Sequence, residues 1–360
     1  MIKIKTSDLK TFLRRSKAIK QHGLMPILSF FKMDCNGNQI VCTDTNHNTF
    51  LIHEMPGEFE KNGSYLIDRK IINSVVDTTK SEFITITQKG KKIFISDDFG
   101  GSTGNNGFQT DDPTLYPKVP DQDKKAPVTI SPDLMKTIQI AKHYCISEKT
   151  GLSSLESLHL KSTPKHIEVF ASNRFLLYVN RIPNDPLELM ITPDNSDALN
   201  GFTEALYYSS GNYDFYECGS TTYGFVKSDY KCVDYLPFIQ GIDKDKCFTI
   251  ERQKVLDYCN RVKSINPSSV VAECEIREAG KNKVLFYYNN EEHDKNSEVI
   301  FDVKKDMEIP DFLFGVDTMI QFLSSLPYEQ ITFAPAIERY FVLSEVDEEF
   351  LGLIVGLRKK

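Results

Sequence analysis

Apolar and polar positions follow one arrangement three times along this chain. In each copy a strand-like stretch precedes an amphipathic helix, whose apolar residues recur every three or four positions. The predicted helices are Ser7 to Lys20, Ser131 to Cys145 and Glu251 to Lys263. A serine side chain accepts hydrogen bonds from the free amides of a first helical turn, so we expect Ser7 and Ser131 to cap their helices. The repeated stripe predicts three similar buried helix faces.

Short runs with a period of two follow each helix and predict antiparallel strands. They are Ile27 to Asp34, Gln39 to Thr43 and Thr49 to Glu54; Ser157 to Lys161, His166 to Ala171 and Leu176 to Arg181; and Val271 to Arg277, Val284 to Tyr288 and Glu298 to Val303. A second helix with strands behind it completes the first copy from Asp68 and the third copy from Asp317. The middle copy is the least regular, because Pro193, Asn195, Asn200 and Gly201 weaken its second helix.

The copies begin about 120 residues apart, which is the length of a domain and not of a solenoid repeat. Two polar segments rich in Pro, Asp and Lys separate them, Pro117 to Pro127 and Gly241 to Lys246, and neither holds much that could pack. We therefore predict an α+β chain of three similar domains, each of two helices packed on antiparallel sheets, at residues 1–121, 122–243 and 244–360.

Basic residues gather on the predicted outer face of the first helix in each copy. The residues are Lys10, Arg14, Lys17 and Lys20; Lys136 and Lys142; and Arg252, Lys254, Arg261 and Lys263. The chain as a whole is acidic, with a net charge of -7, but a polyanion responds to how charge is distributed over a surface and not to its sum. Two interpretations stay open: ordinary solvated side chains, or a surface that neutralises phosphates without reading bases.

Nothing in the sequence has the spacing of a catalytic or metal site. There is no phosphate-binding glycine loop before a lysine, no glycine triplet of a nucleotide-binding turn, and no nucleophile elbow. The eight cysteines form no C-x-x-C pair, which favours buried reduced thiols over a zinc site. We predict no cofactor, no metal and no enzymatic activity; an enzyme with an unrecognised site is the alternative.

The N-terminal stretch from Met1 to Lys5 alternates apolar and basic residues, as a half-buried strand does, and no apolar segment of a signal peptide follows it. No run of about 18 apolar residues occurs, so we expect neither a membrane span nor a membrane partner. The expected location is cytoplasmic.

Six short segments are similar, in their order along the chain, to those of one known family. They are Met25 to Ser29, Cys42 to Thr45, Phe108 to Pro117, Phe170 to Leu177, Asp234-Tyr235 and Leu353 to Arg358. The first resembles the Leu-Pro-Ile-Leu segment, and the last the Val-Val-Met-Pro-Met-Arg ending, of the bacterial beta sliding clamp, the processivity subunit of DNA polymerase III. The resemblance covers essentially the whole chain.

What the resemblance implies is a DNA-clamp fold closed into a head-to-tail dimeric ring around double-stranded DNA, which it holds without regard to sequence. Such a homodimer would tether a replicative DNA polymerase and would need a clamp loader to open. By position, Phe108 of one protomer would lie near Ile265 of the other; as an alternative, either residue is simply part of a core. The alternative function is a non-encircling DNA-binding scaffold of the same fold, from a phage or mobile element.

The resemblance also implies a hydrophobic pocket for partner peptides. By position its residues would be Leu155, Ser172, Arg174, Phe175, Leu177, Val233, Phe238, Thr318, Leu353, Val355 and Leu357. The chain departs from the family there, since Arg174-Phe175-Leu176 replaces Gly-His-Arg and Gly356 replaces a proline. We therefore expect a groove for a short extended peptide with leucine or aromatic anchors, and a peptide preference of its own.

Overall fold

The computed structural model describes most of the chain, and every structural statement below concerns that part. The described residues are 1–20, 25–97, 108–146, 154–228, 234–239, 242–243, 246–266, 271–303, 311–336, 339–343 and 350–357. Within them lie the helices α1 Thr6–Ser16, α2 Arg69–Thr78, α3 Pro132–Ala141, α4 Pro193–Ala198, α5 Leu236–Ile239, α6 Arg252–Ile265 and α7 Val316–Ser324. None of these helices combines the length and apolar character needed to cross a bilayer.

The strands fall into three consecutive groups. The first group is β1 Ile2–Lys5, β2 Phe30–Asn36, β3 Gln39–Thr45, β4 Thr49–Pro56, β5 Glu58–Phe59, β6 Gly63–Asp68, β7 Phe83–Lys89, β8 Lys92–Asp97 and β9 Phe108–Gln109. The second is β10 Val128–Ile130, β11 Leu158–Ser162, β12 Ile167–Ser172, β13 Leu176–Ile182, β14 Leu189–Ile191, β15 Ala205–Ser210, β16 Tyr213–Cys218 and β17 Thr221–Val226. The third is β18 Phe248–Glu251, β19 Glu273–Glu278, β20 Lys283–Asn290, β21 Lys295–Asp302, β22 Phe312–Gly315, β23 Gln330–Ala336, β24 Arg339–Leu343 and β25 Phe350–Val355.

One order of elements occurs three times: a strand, a helix, four strands, a second helix and three more strands. The two-residue β5 is an addition in the first copy, and α5 follows the last strand of the second copy. This is the repetition that the hydrophobic pattern predicted, including a middle copy whose second helix, α4, spans only Pro193–Ala198. The α+β class is confirmed.

By their contacts the residues form two compact units, and the middle copy is shared between them. One unit is Met1–Ser131 with Asp197–Lys227, and the other is Pro132–Ser196 with Ser228–Lys360. Strand pairing explains the division, because β17 of the middle copy pairs with β4 and β13 pairs with β25, each across a boundary between copies. The three-domain division at residues 121 and 243 stays a prediction.

Each unit contains two antiparallel sheets. The first unit has a five-stranded sheet in the order β5-β1-β7-β8-β9 and an eight-stranded sheet in the order β10-β15-β16-β17-β4-β3-β2-β6. The second has an eight-stranded sheet in the order β14-β11-β12-β13-β25-β24-β23-β18 and a four-stranded sheet in the order β21-β20-β19-β22. Alternate side chains are buried along the strands, as in β2, where Phe31, Met33 and Cys35 face the core.

The first helix begins differently from the prediction. Lys5 and not Ser7 occupies the N-cap position, and the Ser7 hydroxyl donates to its neighbour Asp8 at 3.1 Å instead of capping the helix. The prediction failed because β1 continues directly into α1, so that no residue separates the strand from the first turn. The regular helix also ends at Ser16, which leaves Lys17 and Lys20 beyond it.

The segment from Pro117 to Pro127 is not a bare linker, contrary to the expectation from its polar composition. The Tyr208 hydroxyl donates to the Gln122 side chain at 2.9 Å, and the Lys124 ammonium lies 5.5 Å from the Tyr208 ring centroid. Lys124 also forms an ion pair with Glu217 at 2.6 Å. Polar groups can therefore pack a connecting segment against a sheet when the sheet presents aromatic rings to them.

Cysteine thiols are mostly buried in the part of the chain that the structure describes. Cys35, Cys42, Cys145, Cys259 and Cys274 are buried, and Cys218 and Cys247 are half-buried. Cys232 lies outside the described residues. Among the residues described, no group of three or more histidine, cysteine, aspartate or glutamate side chains is arranged to hold a metal ion.

Candidate nucleic-acid interface and peptide groove

Helix α1 presents an exposed basic face. Lys10 and Arg14 are exposed on the helix and Lys17 is exposed just after it, while Leu9 and Phe12 are buried. Within the described ranges no carboxylate lies at ion-pairing distance from Lys10, Arg14 or Lys17. These three cations are therefore available to contact phosphates. Lys20, further along the chain, is exposed as well.

A buried ion pair anchors the C-terminal end of α1. The Asp44 carboxylate at the end of β3 is fully buried and accepts hydrogen bonds from Ser16 of α1 and from Arg69 of α2. Burial raises the pKa of Asp44 to about 6, and the opposing effects of Arg69 and Ser16 reduce that rise without cancelling it. One carboxylate thus ties two helices to the sheet below them. The orientation of the basic face depends on it.

Arg15 lines a concavity beside this face. Its guanidinium lies 4.8 Å from the Phe202 ring centroid, and its carbonyl accepts a hydrogen bond of 2.9 Å from the Tyr223 hydroxyl. The Arg15 Nε is buried and has no hydrogen-bond partner among the described residues. Together with Arg14 and the Gly201 turn it lines a space of about 370 Å³. An unsatisfied guanidinium donor is a good ligand for an anionic oxygen.

The basic residues predicted on α3 differ from each other. Lys136 is exposed, whereas Lys142 lies in a 3-10 turn after the helix, half-buried, and donates to the Gln139 side chain at 2.9 Å. The neighbouring Tyr144 is buried and its hydroxyl donates to the Phe322 carbonyl at 2.9 Å. Lys142 therefore stands where the chain turns to pack on α7.

On α6 most of the basic residues already have partners. Lys254 forms an ion pair with Glu251 at 3.1 Å, and Lys263 forms one with Asp317 at 2.6 Å. Arg252 was expected on the outer face, but its guanidinium donates to the carbonyls of Tyr328 and Leu323 at 2.7 and 3.0 Å. Arg261 is exposed, and no carboxylate of the described residues is within ion-pairing distance of it.

An apolar cluster in the second unit forms the floor of the predicted peptide groove. Leu177 and Leu353 are directly opposite each other where β13 pairs with β25, and both are buried. Phe170, Val179 and Tyr235 complete the cluster, with Ile242, Leu351 and Val355 packed at its edge. Tyr235 packs on Phe170 with ring centroids 5.1 Å apart. The sequence placed Leu177, Leu353 and Val355 here by resemblance but did not identify Phe170 or Tyr235 as their neighbours.

The turn between β12 and β13 borders this cluster. The Asn173 side chain accepts hydrogen bonds from the amides of Phe175 and Leu176 at 3.1 and 2.8 Å, and the Ser172 hydroxyl donates to the Leu176 carbonyl at 2.8 Å. The Phe175 carbonyl accepts from the Val355 amide at 2.9 Å, which joins the turn to β25. Phe175 nevertheless exposes 57% of its surface. A large apolar ring held in water by a well-bonded turn is typical of a binding surface.

Arg174 occupies a strained position in this turn. Its φ of 79° lies in the left-handed region, where a residue with a Cβ is disfavoured. The family that the sequence resembles has a glycine at this place, and a glycine adopts that conformation without penalty. The Asn173 hydrogen bonds compensate part of the strain, and Arg174 itself is an exposed cation beside the groove.

The other residues predicted for the groove are only partly accounted for. Leu155, Thr318 and Leu357 are half-buried, and the Leu357 amide donates to the Leu313 carbonyl at 2.7 Å. Val233 and the side chain of Phe238 lie outside the described residues. Their contribution to the groove stays a prediction.

The two residues predicted at the dimer contact have different surroundings. Phe108 on the short β9 is 8% exposed, and its ring centroid lies 6.5 Å from that of Phe30. Ile265 is the last residue of α6 and is half-buried. The contact between them across two protomers stays a prediction.

Comparison with known protein families and with curated proteins finds no match to this sequence. The structure, by contrast, matches solved bacterial proteins over its whole length. A DNA polymerase sliding clamp from Bacillus subtilis is 14% identical with a TM-score of 0.88, covering 100% of this chain and 99% of the other. The DNA polymerase III subunit beta from Pseudomonas aeruginosa is 15% identical with a TM-score of 0.87 and covers 100% of both chains.

The sliding clamp from Caulobacter crescentus is also similar, at 15% identity, a TM-score of 0.84 and 99% coverage of each chain. The chain therefore has the DNA-clamp fold. More closely, its fold is that of the bacterial DNA polymerase III beta subunits, and the resemblance inferred from six short segments is confirmed at the level of the fold.

Proposed function

We propose that this protein is a DNA sliding clamp. In this function two copies close into a head-to-tail ring around double-stranded DNA and hold a replicative polymerase on it. The observation that carries the proposal is the match of fold from end to end with polymerase III beta subunits, at 99% to 100% coverage of each chain. The unpaired basic face of α1 supports it, because a clamp needs mobile, sequence-independent phosphate contacts.

The mechanism depends on topology more than on affinity. A closed ring cannot leave circular DNA sideways, so weak contacts from residues such as Lys10 and Arg14 are sufficient to guide it without stopping it. A polymerase bound to the ring is kept at a high effective concentration near the primer end and rebinds before it diffuses away. Such a protein acts in the cytoplasm, has no chemistry of its own and relies on a separate clamp loader to open.

The ring can be tested by its size and by its retention on DNA. In sedimentation we expect a dimer of about 82 kDa, twice the 41.1 kDa chain. After loading by its cognate loader, the protein should remain on nicked circular DNA in high salt and dissociate once the circle is cut. A monomer that binds circular and linear DNA equally would reject the clamp and favour the non-encircling scaffold.

We also propose that the groove between the β12–β13 turn and β25 binds a short extended peptide of the polymerase. The buried floor of Leu177 and Leu353 beside the exposed ring of Phe175 suits leucine or aromatic anchors. Phe175→Ala should weaken the binding of such a labelled peptide by about tenfold or more, the loss expected for an aromatic anchor at a binding hot spot. Leu115→Ala, a change at another exposed apolar residue, is the control and should leave it unchanged. Equal effects of both changes would place the peptide elsewhere.

A further inference from the structure

The five-stranded sheet of the first unit has one apolar face and one basic face. The buried residues of β1, β7 and β8 are isoleucines at alternate positions, among them Ile4, Ile86 and Ile95. Because side chains alternate along a strand, the intervening positions share the opposite face. The strand register places there Lys3, Lys5, Phe83, Thr85, Thr87, Lys89, Lys92, Phe94 and Ser96.

The charge on this basic face is mainly positive. Lys5, Lys89 and Lys92 are exposed, as is Lys91 in the β7–β8 turn, and Lys3 is half-buried. The strand register places one carboxylate on this face, Glu58, opposite Lys3. Among the described residues, no carboxylate lies within ion-pairing distance of any of the five lysines. Such a concentration of positive charge on a chain of net charge -7 attracts a polyanion.

Two aromatic rings and three hydroxyl groups lie among the lysines. Phe83 and Phe94 are half-buried, with the Lys3 ammonium 4.4 Å from the first ring centroid and the Lys89 ammonium 5.8 Å from the second. Thr85 and Ser96 are opposite each other between the two rings, and Thr87 is opposite Phe94. Hydroxyls and lysines bind phosphate oxygens, and rings on a sheet surface stack on unpaired bases.

A groove continues this face at the edge formed by β5. It encloses about 560 Å³, and Lys3, Lys5, Phe59 and Phe83 contribute to its lining together with Glu58. A groove with cationic and aromatic walls holds a single flexible strand better than a duplex, whose bases are already stacked and paired.

We propose that the basic face of the five-stranded sheet, Lys3, Lys5, Lys89, Lys91, Lys92, Phe83 and Phe94, binds single-stranded nucleic acid. This site is separate from the face of α1 and does not depend on ring closure. Charge complementarity supports the phosphate contacts, and the two half-buried rings distinguish a nucleic-acid strand from an acidic polypeptide.

The test measures binding of the full-length protein to a fluorescent oligothymidylate of about 20 nucleotides by anisotropy, over a series of salt concentrations. Lys89→Glu with Lys92→Glu should lower the affinity by about tenfold or more and reduce the salt dependence. The matched control, Lys165→Glu with Lys295→Glu, makes the same change of net charge at exposed lysines of the other unit and should stay within about twofold of the unchanged protein. For comparison, Lys10→Glu with Lys17→Glu makes the same change of net charge on and beside α1 and should lower the affinity for the oligothymidylate less than the sheet variant does.

The contribution of the rings is tested by Phe94→Leu, which keeps an apolar side chain at a half-buried position. It should weaken binding of the oligothymidylate by about fivefold or more and leave binding of an abasic strand of the same length unchanged. The proposal is overturned if the unchanged protein does not bind the oligothymidylate. It is equally overturned if only the α1 variant loses binding, or if polyglutamate binds as tightly and Phe94→Leu affects neither ligand.

Discussion

Helices α1 and α6 are the first helices of two copies of the repeat, and their basic residues differ in how they are paired. Lys10 and Arg14 on α1 are exposed and unpaired within the described residues. On α6, Lys254 and Lys263 have carboxylate partners at 3.1 and 2.6 Å, and Arg252 donates to two main-chain carbonyls. The number of cations on a helix face therefore overstates its capacity to bind phosphate, because a paired lysine must first separate from its carboxylate.

The two helices also differ in how they are anchored. The end of α1 is held by Ser16, which bonds to the buried pair of Asp44 and Arg69. The start of α6 is held by Arg252, whose partners are neutral carbonyl groups. A buried ion pair is sensitive to loss of either member, whereas a cation on carbonyls near the surface can be replaced by water.

The largest effect that we expect follows from this difference in anchoring. Asp44→Ala should lower the free energy of unfolding by about 3–5 kcal/mol, since it leaves the Arg69 guanidinium buried without a counterion. Arg252→Met, which removes the hydrogen bonds at the start of α6, should cost about 1–3 kcal/mol. Urea unfolding gives the totals, and hydrogen exchange of the α1 and α6 amides assigns each loss to its helix. Equal costs would mean that the two anchors do not differ as described.

A smaller effect, on DNA affinity, tests the difference between free and paired cations. Lys10→Gln with Arg14→Gln should weaken duplex binding by about tenfold, or about 1.4 kcal/mol, and reduce the salt slope by about 0.9 for each phosphate that is no longer neutralised. Glu251→Gln with Lys254→Gln also replaces two side chains by glutamine but removes an ion pair without changing the net charge. This variant should bind within about twofold of the unchanged protein. A decrease as large as that of the α1 variant would show that α6 binds phosphate in spite of its pairing.

The smallest expected effect concerns pH. Because burial raises the pKa of Asp44 to about 6, from an unfolded value near 3.8, the folded protein binds this proton more tightly. Its contribution to stability is therefore complete below the unfolded pKa and is lost as the pH rises through 6. Between pH 7 and pH 5 the unchanged protein should gain about 1 kcal/mol relative to Asp44→Asn, measured by urea unfolding at both pH values. A constant difference between the two proteins, or one of opposite sign, would show that the carboxylate stays ionised beside Arg69.

The repeated order of strands and helices, and the side of each helix that is buried, could be predicted from the amino-acid sequence alone. These features depend on periodicity within about 15 residues, which a chain carries locally. Ser7 shows where this reasoning ends, since serine is a good cap in isolation, but β1 runs into α1 without a gap. Element boundaries depend on neighbouring elements as well as on local preference.

Which of the basic and apolar residues remain available for binding depends instead on contacts that form in the folded protein. The Arg15 guanidinium packs over the Phe202 ring, and the Arg252 guanidinium donates to the carbonyls of Leu323 and Tyr328. In both cases the partners are distant in the sequence. Leu177 likewise lies opposite Leu353 only because β13 pairs with β25. The sequence specifies the charge and size of each side chain, but its hydration and its partners depend on the residues that surround it in the folded protein. The hydration and the partners determine whether the side chain can bind another molecule.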